Sequence, residues 1–246
     1  MKINNEMSST PKRFLVTGAS RGIGWAISKA LVDAGHEVVG LARTFDEKSQ
    51  TLPRFSGEVL DLANLAALPE ALEQLRKRYS PFDGIVGNAG MGRFGCLEEF
   101  SFVQIQSLMN LNFTANAILA KIFLPDLKKR SSGDLIFIGS EAALTGTQRG
   151  SIYCASKFAL RGFCQALQAE CSKSGVRVSI IHPGMVKTDF FEELSFTHGD
   201  LPENFLEPED VADAVQLILN ARPGTAFQEI ILNPLKKVIQ TKKEKD

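Results

Sequence analysis

Tyr153-Cys154-Ala155-Ser156-Lys157 sets a phenol and an amine four residues apart. On a helix that spacing brings both side chains to one face. A free tyrosine titrates near pH 10, too high for ready proton exchange at neutral pH. An ammonium beside it favours the phenolate and draws that value toward the range where acid/base catalysis works best. The chemistry on offer is proton transfer to or from a substrate oxygen. A lone pair of this kind also occurs on ordinary helix surfaces, so the rest of the chain decides what it means.

A second group of residues suits a phosphate. After the short apolar run 13–17 come Gly18-Ala19-Ser20-Arg21-Gly22-Ile23-Gly24, with glycines spaced G-x-x-x-G-x-G. Glycine permits a sharp turn and lets a pyrophosphate approach the backbone. The helix that follows offers free N–H groups and the positive end of its dipole. The second apolar run ends at Leu41-Ala42-Arg43-Thr44. A site selecting NAD commonly holds a carboxylate there for the ribose 2′-hydroxyl. Here Arg43 stands in that region, and Arg21 lies in the glycine loop. Guanidinium groups bind phosphate through paired, charge-assisted hydrogen bonds, so the expected cofactor is NADP(H).

Thr17-Gly18-x-x-x-Gly22-x-Gly24 and Tyr153-x-x-x-Lys157 together resemble the short-chain dehydrogenase/reductases, and the resemblance runs from Phe14 to about Pro234. Ser140 precedes Tyr153 by thirteen residues and Asn112 precedes Pro125 by thirteen, both matching that family's spacing. The resemblance implies a catalytic set of Asn112, Ser140, Tyr153 and Lys157. Ser140 and Tyr153 would hold a carbonyl oxygen while hydride moves from the nicotinamide and Tyr153 supplies the proton. Tyr153 and Lys157 would also touch the cofactor, Lys157 through its ribose hydroxyls. Asn112 would stabilise a helix kink and order a water near Lys157, completing a proton relay.

The same likeness extends the cofactor set beyond Gly18, Ser20, Arg21, Gly22, Ile23, Gly24 and Arg43. It adds Asp61 and Leu62 at the adenine, and Asn88, Ala89 and Gly90 along the cleft. It also adds Pro183, Gly184, Val186 and Thr188 at the nicotinamide. The family's usual N-N-A-G is here Gly87-Asn88-Ala89-Gly90. His182, just before the proline, reads as a packed strand-end histidine.

These residues need a frame. Apolar runs at 13–17, 37–42, 57–62, 83–87, 134–139, 177–181 and 227–232 alternate with helical patterns at 21–34, 64–78, 103–130, 153–173 and 208–220. Continuously apolar strands alternating with helices imply a parallel sheet covered on both faces. The expected fold is α/β, a Rossmann-like, doubly wound, seven-stranded parallel sheet with helices on both faces. Pro125 is expected to bend its helix or cap a turn. One domain spans 1–246, with 1–11 and about 236–246 expected to be flexible.

Substrate selection is expected in the segment 189–207, which carries Phe190, Phe191, Leu194, Phe196 and Phe205. In the family this region is a mobile lid. Met91, Phe94, Glu141, Gln148, Met185, Phe190 and Phe191 are the candidate pocket residues. The aromatics could wall an apolar substrate or pack on the core. Many 3-oxoacyl-carrier-protein reductases of the family end in D-G-G after the last strand. Here Glu229-Ile230-Ile231-Leu232-Asn233-Pro234 stands instead, closer to branches acting on hydroxy acids, sugars or assorted carbonyls.

Composition narrows the function further. Lys+Arg and Asp+Glu number 28 each, so the chain lacks the basic excess of a nucleic-acid binder. There is no apolar stretch of transmembrane length and no signal-peptide pattern at the start, and the four cysteines lack metal or disulfide spacing. We expect a cytoplasmic enzyme without a metal, acting on a small carbonyl or alcohol. By resemblance it is a homodimer or homotetramer built on the two long helices around Asn112 and Tyr153. The alternatives are a dinucleotide-binding regulatory protein without turnover or, among enzymes, a 3-oxoacyl reductase or hydroxy-acid dehydrogenase.

Overall fold

The first apolar run becomes β1 (Arg13–Thr17), and the glycine loop opens α1 (Gly22–Asp33). The chain continues through β2 (Glu37–Ala42), a one-turn α2 (Glu47–Gln50), β3 (Phe55–Val59), α3 (Leu68–Tyr79) and β4 (Gly84–Gly87). Next come α4 (Phe102–Met109), a π turn at Asn110–Thr114, α5 (Ala115–Arg130), β5 (Gly133–Ile138), α6 (Ser151–Cys171) and β6 (Val176–Pro183). β7 (Phe196–His198), α7 (Pro208–Leu219), β8 (Glu229–Leu232) and β9 (Ile239–Thr241) complete it. This is a computed structural model, and it describes residues 10–242.

Seven strands form one sheet in the order β3-β2-β1-β4-β5-β6-β8, and every neighbouring pair is parallel. Side chains alternate across it, as a period of two requires. Leu15 packs on one side with Leu72, Phe123 and Leu160 from α3, α5 and α6. Phe14 and Val16 pack on the other with Ile27, Leu31, Val211 and Val215 from α1 and α7. In the central strands both faces are therefore dry, which is why those strands read as unbroken apolar runs, while the edge strands β3 and β8 are partly exposed. The strand order turns back between β1 and β4, and in such sheets ligands bind beyond the strand ends at that point.

Four expectations needed correction. The third strand starts two residues earlier than the 57–62 pattern suggested, because Phe55 is an aromatic anchor between Trp25 and Phe45. The helix expected over 64–78 starts at Leu68, where Pro69 fits the first turn. The helix at 103–130 is interrupted by the π turn at Asn110–Thr114, whereas Pro125 sits inside α5, which runs on to Arg130.

The tail expected to fray from Lys236 instead carries β9, antiparallel to β7 in a two-stranded ribbon. Its backbone has partners to satisfy: Gly199 N–H donates to the Val238 carbonyl at 3.0 Å and Lys242 N–H to that of Ser195 at 2.8 Å. The flexibility expected of residues 1–9 and 243–246 lies outside the described residues. Among the described residues, no helix is long and apolar enough to cross a membrane.

Candidate active site

Beyond the ends of β1 and β4, backbone and short polar side chains build a tight cradle. Gly18 and Gly22 have φ of +66° and +53°, a region costly for residues with a side chain. A Cβ on Gly24 would overlap the Gly18 carbonyl and come within 2.5 Å of Asn88 Nδ2. Asn88 Nδ2 donates to the Thr17 carbonyl at 2.9 Å, and Thr17 Oγ1 accepts from the N–H groups of Asn88 and Ala89, both at 2.9 Å. Asn88 and Ala89 thus lock the loop after β4 to the loop after β1. At the start of α1, Arg21 caps no backbone N–H with its side chain. The first-turn donors stay available for an anion, so the cradle fits a dinucleotide pyrophosphate.

The other cofactor candidates line the same end of the sheet. Arg43 is exposed just past β2. Arg21, expected beside it at a 2′-phosphate, instead reaches Asp189 at 3.3 Å, an exposed contact that holds it only weakly. Asp61 accepts from the Ala63 N–H at 2.9 Å and Leu62 is buried. After β6, Thr188 lies against Gly22, where an added Cβ would come within 3.2 Å of its methyl group. The Gly184 N–H donates to the Leu232 carbonyl at 2.7 Å, and Val186 bridges to Leu206.

The reacting candidates sit one strand over, where α6 presents Tyr153 and Lys157 inward, each only 6% exposed. Lys157 Nζ donates to the Ile138 carbonyl at 3.1 Å and lies 5.9 Å from the Tyr153 ring centre. Burial pushes the Lys157 amine down to about 8. It pushes the Tyr153 phenol up to about 12, opposed by a hydrogen bond with the Ser140 side chain. The lowering of Tyr153 expected from Lys157 is therefore absent in the protein alone. Desolvation of the phenolate sets the direction instead.

Asn112 explains the π turn. It is fully buried, and its carboxamide is spent entirely on protein. Oδ1 accepts from Met91 N–H at 2.9 Å, while Nδ2 donates to the Met91 carbonyl and Ser156 Oγ, both at 3.0 Å. Ser156 Oγ in turn donates to the Tyr153 carbonyl at 2.7 Å. Asn112 thus ties the loop after β4 to the part of α6 that carries Tyr153. Its main-chain carbonyl accepts from Asn116 Nδ2 at 3.0 Å. A Cβ on Gly90 would come within 3.2 Å of Asn112 Oδ1 and 3.6 Å of Lys157 Nζ, so Gly90 lies against both.

An aromatic wall covers the phenol. Phe94 and Phe190 lie 5.0 and 6.1 Å from the Tyr153 ring, and Phe196 packs on Phe94 at 5.0 Å. Phe190 rests on Gly92, where any side chain would displace it. Phe191 packs edge-on against Phe190 and is buried, as is Met185. Met91 packs beside Tyr153 in the same small cluster. Glu141 is tied to Lys237 at 2.7 Å, and Gln148 is exposed on the loop before α6. Sequence reasoning missed Thr17 as the latch between two loops, and Gly92 as the seat of Phe190. The threonine was visible beside Gly18, but its partners are seventy residues away.

A family profile described as short chain dehydrogenase matches residues 12–198. A 3-oxoacyl-[acyl-carrier-protein] reductase of Buchnera aphidicola is 31% identical, covering 81% of this chain and 86% of its own. The sepiapterin reductase of Chlorobaculum tepidum is 30% identical over 92% of this chain and 97% of its own. An alcohol dehydrogenase from the archaeon Thermococcus sibiricus, complexed with 5-hydroxy-NADP, superposes with a TM-score of 0.83 at 28% identity, covering 93% of this chain and 99% of that one. The chain belongs to the short-chain dehydrogenase family.

Proposed function

We propose that this short-chain dehydrogenase is an NADP(H)-dependent reductase of carbonyl compounds, reversible toward the matching secondary alcohols, with Tyr153 as its general acid/base. The observation that carries the reading is the pairing of buried Tyr153 and Lys157 on one face of α6, with Nζ 5.9 Å from the phenol ring, at the sheet end that also holds Ser140 and the glycine cradle. A dinucleotide-binding regulator would not need all of these groups together.

The cradle of Gly18, Gly22, Gly24 and the α1 N-terminus would hold the pyrophosphate, and Lys157 the ribose. When bound, the nicotinamide exchanges the hydride and, oxidised, adds a positive charge. Ser140 Oγ and Tyr153 Oη hold the carbonyl oxygen. With its phenol near 12, Tyr153 keeps its proton at neutral pH and has it ready to donate as negative charge develops on that oxygen. Lys157, an ammonium below about 8, favours the phenolate left behind. Phe94, Phe190 and Phe196 exclude water, which strengthens these electrostatic effects. They also favour a carbonyl carrying an apolar substituent.

Arg43 supports NADP(H) over NAD(H), because an exposed arginine past β2 attracts a 2′-phosphate where a carboxylate would repel it. Thermococcus sibiricus alcohol dehydrogenase and a metagenomic relative are both in complex with NADP-type cofactors. Phe102 and Val103 on α4 and Phe158 on α6 are exposed apolar side chains. They support self-association through α4 and α6, as a homodimer or homotetramer. Free thiols at all four cysteines accord with a cytoplasmic setting.

The test is NADPH consumption across a panel of ketones and aldehydes, with β-hydroxy acids assayed in reverse. Turnover is expected on at least one apolar carbonyl, and NADPH binding without turnover on any would favour the regulatory reading. In the same assay Arg43→Ala should weaken NADPH by about tenfold, the worth of one charge-assisted contact, and leave NADH nearly unchanged. Equal losses for both cofactors would refute the assignment of Arg43.

A further inference from the structure

Behind Ser140 lies a histidine that the chemistry above does not use. His182, the penultimate residue of β6 before the loop proposed to hold the nicotinamide, is fully buried. Its Nδ1 lies 3.1 Å from the main-chain carbonyl of Ser140. A carbonyl can only accept, so Nδ1 carries the proton. The approach depends on Gly139, where a Cβ would sit 2.6 Å from Nδ1.

Packing alone does not account for this residue. Leucine or phenylalanine would fill the space without burying a polar ring. As it stands, Nε2 is buried with no hydrogen-bond partner among the described residues, which carries a desolvation cost. It faces Glu229 Oε2 at 4.0 Å. Glu229 is itself gripped by Arg161, with contacts of 3.0 and 2.9 Å, and by Gln165 at 3.0 Å. Arg161 is one helical turn beyond Lys157 on α6. A line of neighbours results, open at Nε2: Ser140 to His182, His182 facing Glu229 without a bond, Glu229 to Arg161, and α6 back to Lys157, whose ammonium returns to Ile138 two residues before Ser140. Burial, helped by Arg161 and Lys157 on α6, favours the neutral ring, while the Ser140 carbonyl and Glu229 on β8 act the other way.

We propose that His182 is a positioning residue for the reaction: through its Nδ1–H it holds the Ser140 main chain, and so fixes the Ser140 hydroxyl relative to Tyr153. The proposal rests on Ser140 and Tyr153 being the groups that hold the substrate oxygen. It assigns to this chain a second layer behind the serine, made of His182, Glu229 and Arg161.

The experiment compares His182→Asn, which returns an amide N–H near the Nδ1 position, with the donor-free His182→Phe and His182→Leu. NADPH affinity and melting temperature are measured for each. The donor-free variant that folds should lose about tenfold in kcat, the cost of a loosened reacting geometry, with NADPH affinity unchanged. His182→Asn should recover most of that loss. In a Ser140→Ala background the penalty of removing the donor should vanish, because the two side chains act through one another. A full penalty in that background, or equal activity of donor-free and Asn variants, overturns the role of His182. If instead Ser140→Ala alone costs nothing, the reading of Ser140 itself fails, a result distinct from failure of His182.

Discussion

Tyr153→Phe should lower kcat by about 10²- to 10⁴-fold, the usual contribution of a positioned general acid, and leave NADPH affinity near that of the parent. The substitution isolates the hydroxyl. Both aromatic neighbours, Phe94 and Phe190, touch the ring, and a phenylalanine ring keeps those contacts. The Tyr153 main-chain carbonyl keeps its bond from Ser156. What goes is the phenol oxygen, near Ser140, that the proposed mechanism assigns to the substrate carbonyl. Stability should therefore change by only about 1 kcal/mol, the worth of one buried hydrogen bond.

The pH dependence has a definite sign. A phenol raised to about 12 stays protonated through neutral pH, so carbonyl reduction has its proton in place there. Alcohol oxidation needs the phenolate, and its rate should climb with pH while reduction falls. Single-turnover NADPH oxidation reads the reduction, NADP⁺ reduction by the matching alcohol across pH reads the reverse, and a fluorescence titration reads binding. Ordinary turnover by Tyr153→Phe would remove Tyr153 from the chemistry, and oxidation that falls with rising pH would contradict its protonation state.

The centre of the sheet was legible in the sequence because both of its faces are dry there. Residues such as Leu15 and Val16 point to opposite sides and are both fully buried, so β1 could only read as an unbroken apolar run. The glycine cradle was legible because Gly18, Gly22 and Gly24 each answer a backbone or steric demand that no other residue meets. Tyr153 and Lys157 were legible by helical spacing.

What escaped was set by distant partners. The π turn at Asn110–Thr114 has no local breaker; Asn112 creates it through Met91 and Ser156, twenty-one and forty-four residues away. β9 escaped because its residues, Ile239 to Thr241, lie in a lysine-rich stretch whose strand exists only by pairing with β7. The tyrosine's proton affinity escaped for a related reason. Spacing announces the ammonium next door but not the burial that raises the phenol.

The same burial makes Lys157 costly, and this yields the second large effect: Lys157→Met should destroy turnover yet stabilise the protein at neutral pH. The amine titrates near 8 in the fold against 10.5 for the ordinary side chain. Between those values the unfolded chain binds more protons than the native one, so parent stability rises with pH across that window. Below about 8 the native protein carries the full cost of a desolvated ammonium. The gap corresponds to about 3 kcal/mol.

Methionine removes the charge while retaining an apolar stem of similar length. Losing the bond from Nζ to the Ile138 carbonyl returns about 1 kcal/mol of that gain, leaving about 2 kcal/mol net. For a chain of this size that raises the melting temperature by about 4–8 °C. The advantage should shrink as pH rises from 8 toward 10, because the parent sheds its penalty there and the variant has none to shed. Above 10 the raised phenol of Tyr153 destabilises both proteins alike, so the comparison is clean below that point. Melts of both proteins without cofactor at pH 7 and pH 10 decide it. A variant less stable than the parent at pH 7, or an advantage that does not shrink with pH, would mean that the ammonium is not the strained group burial makes it. A gain with turnover lost would place Lys157 among residues kept for chemistry at the expense of stability.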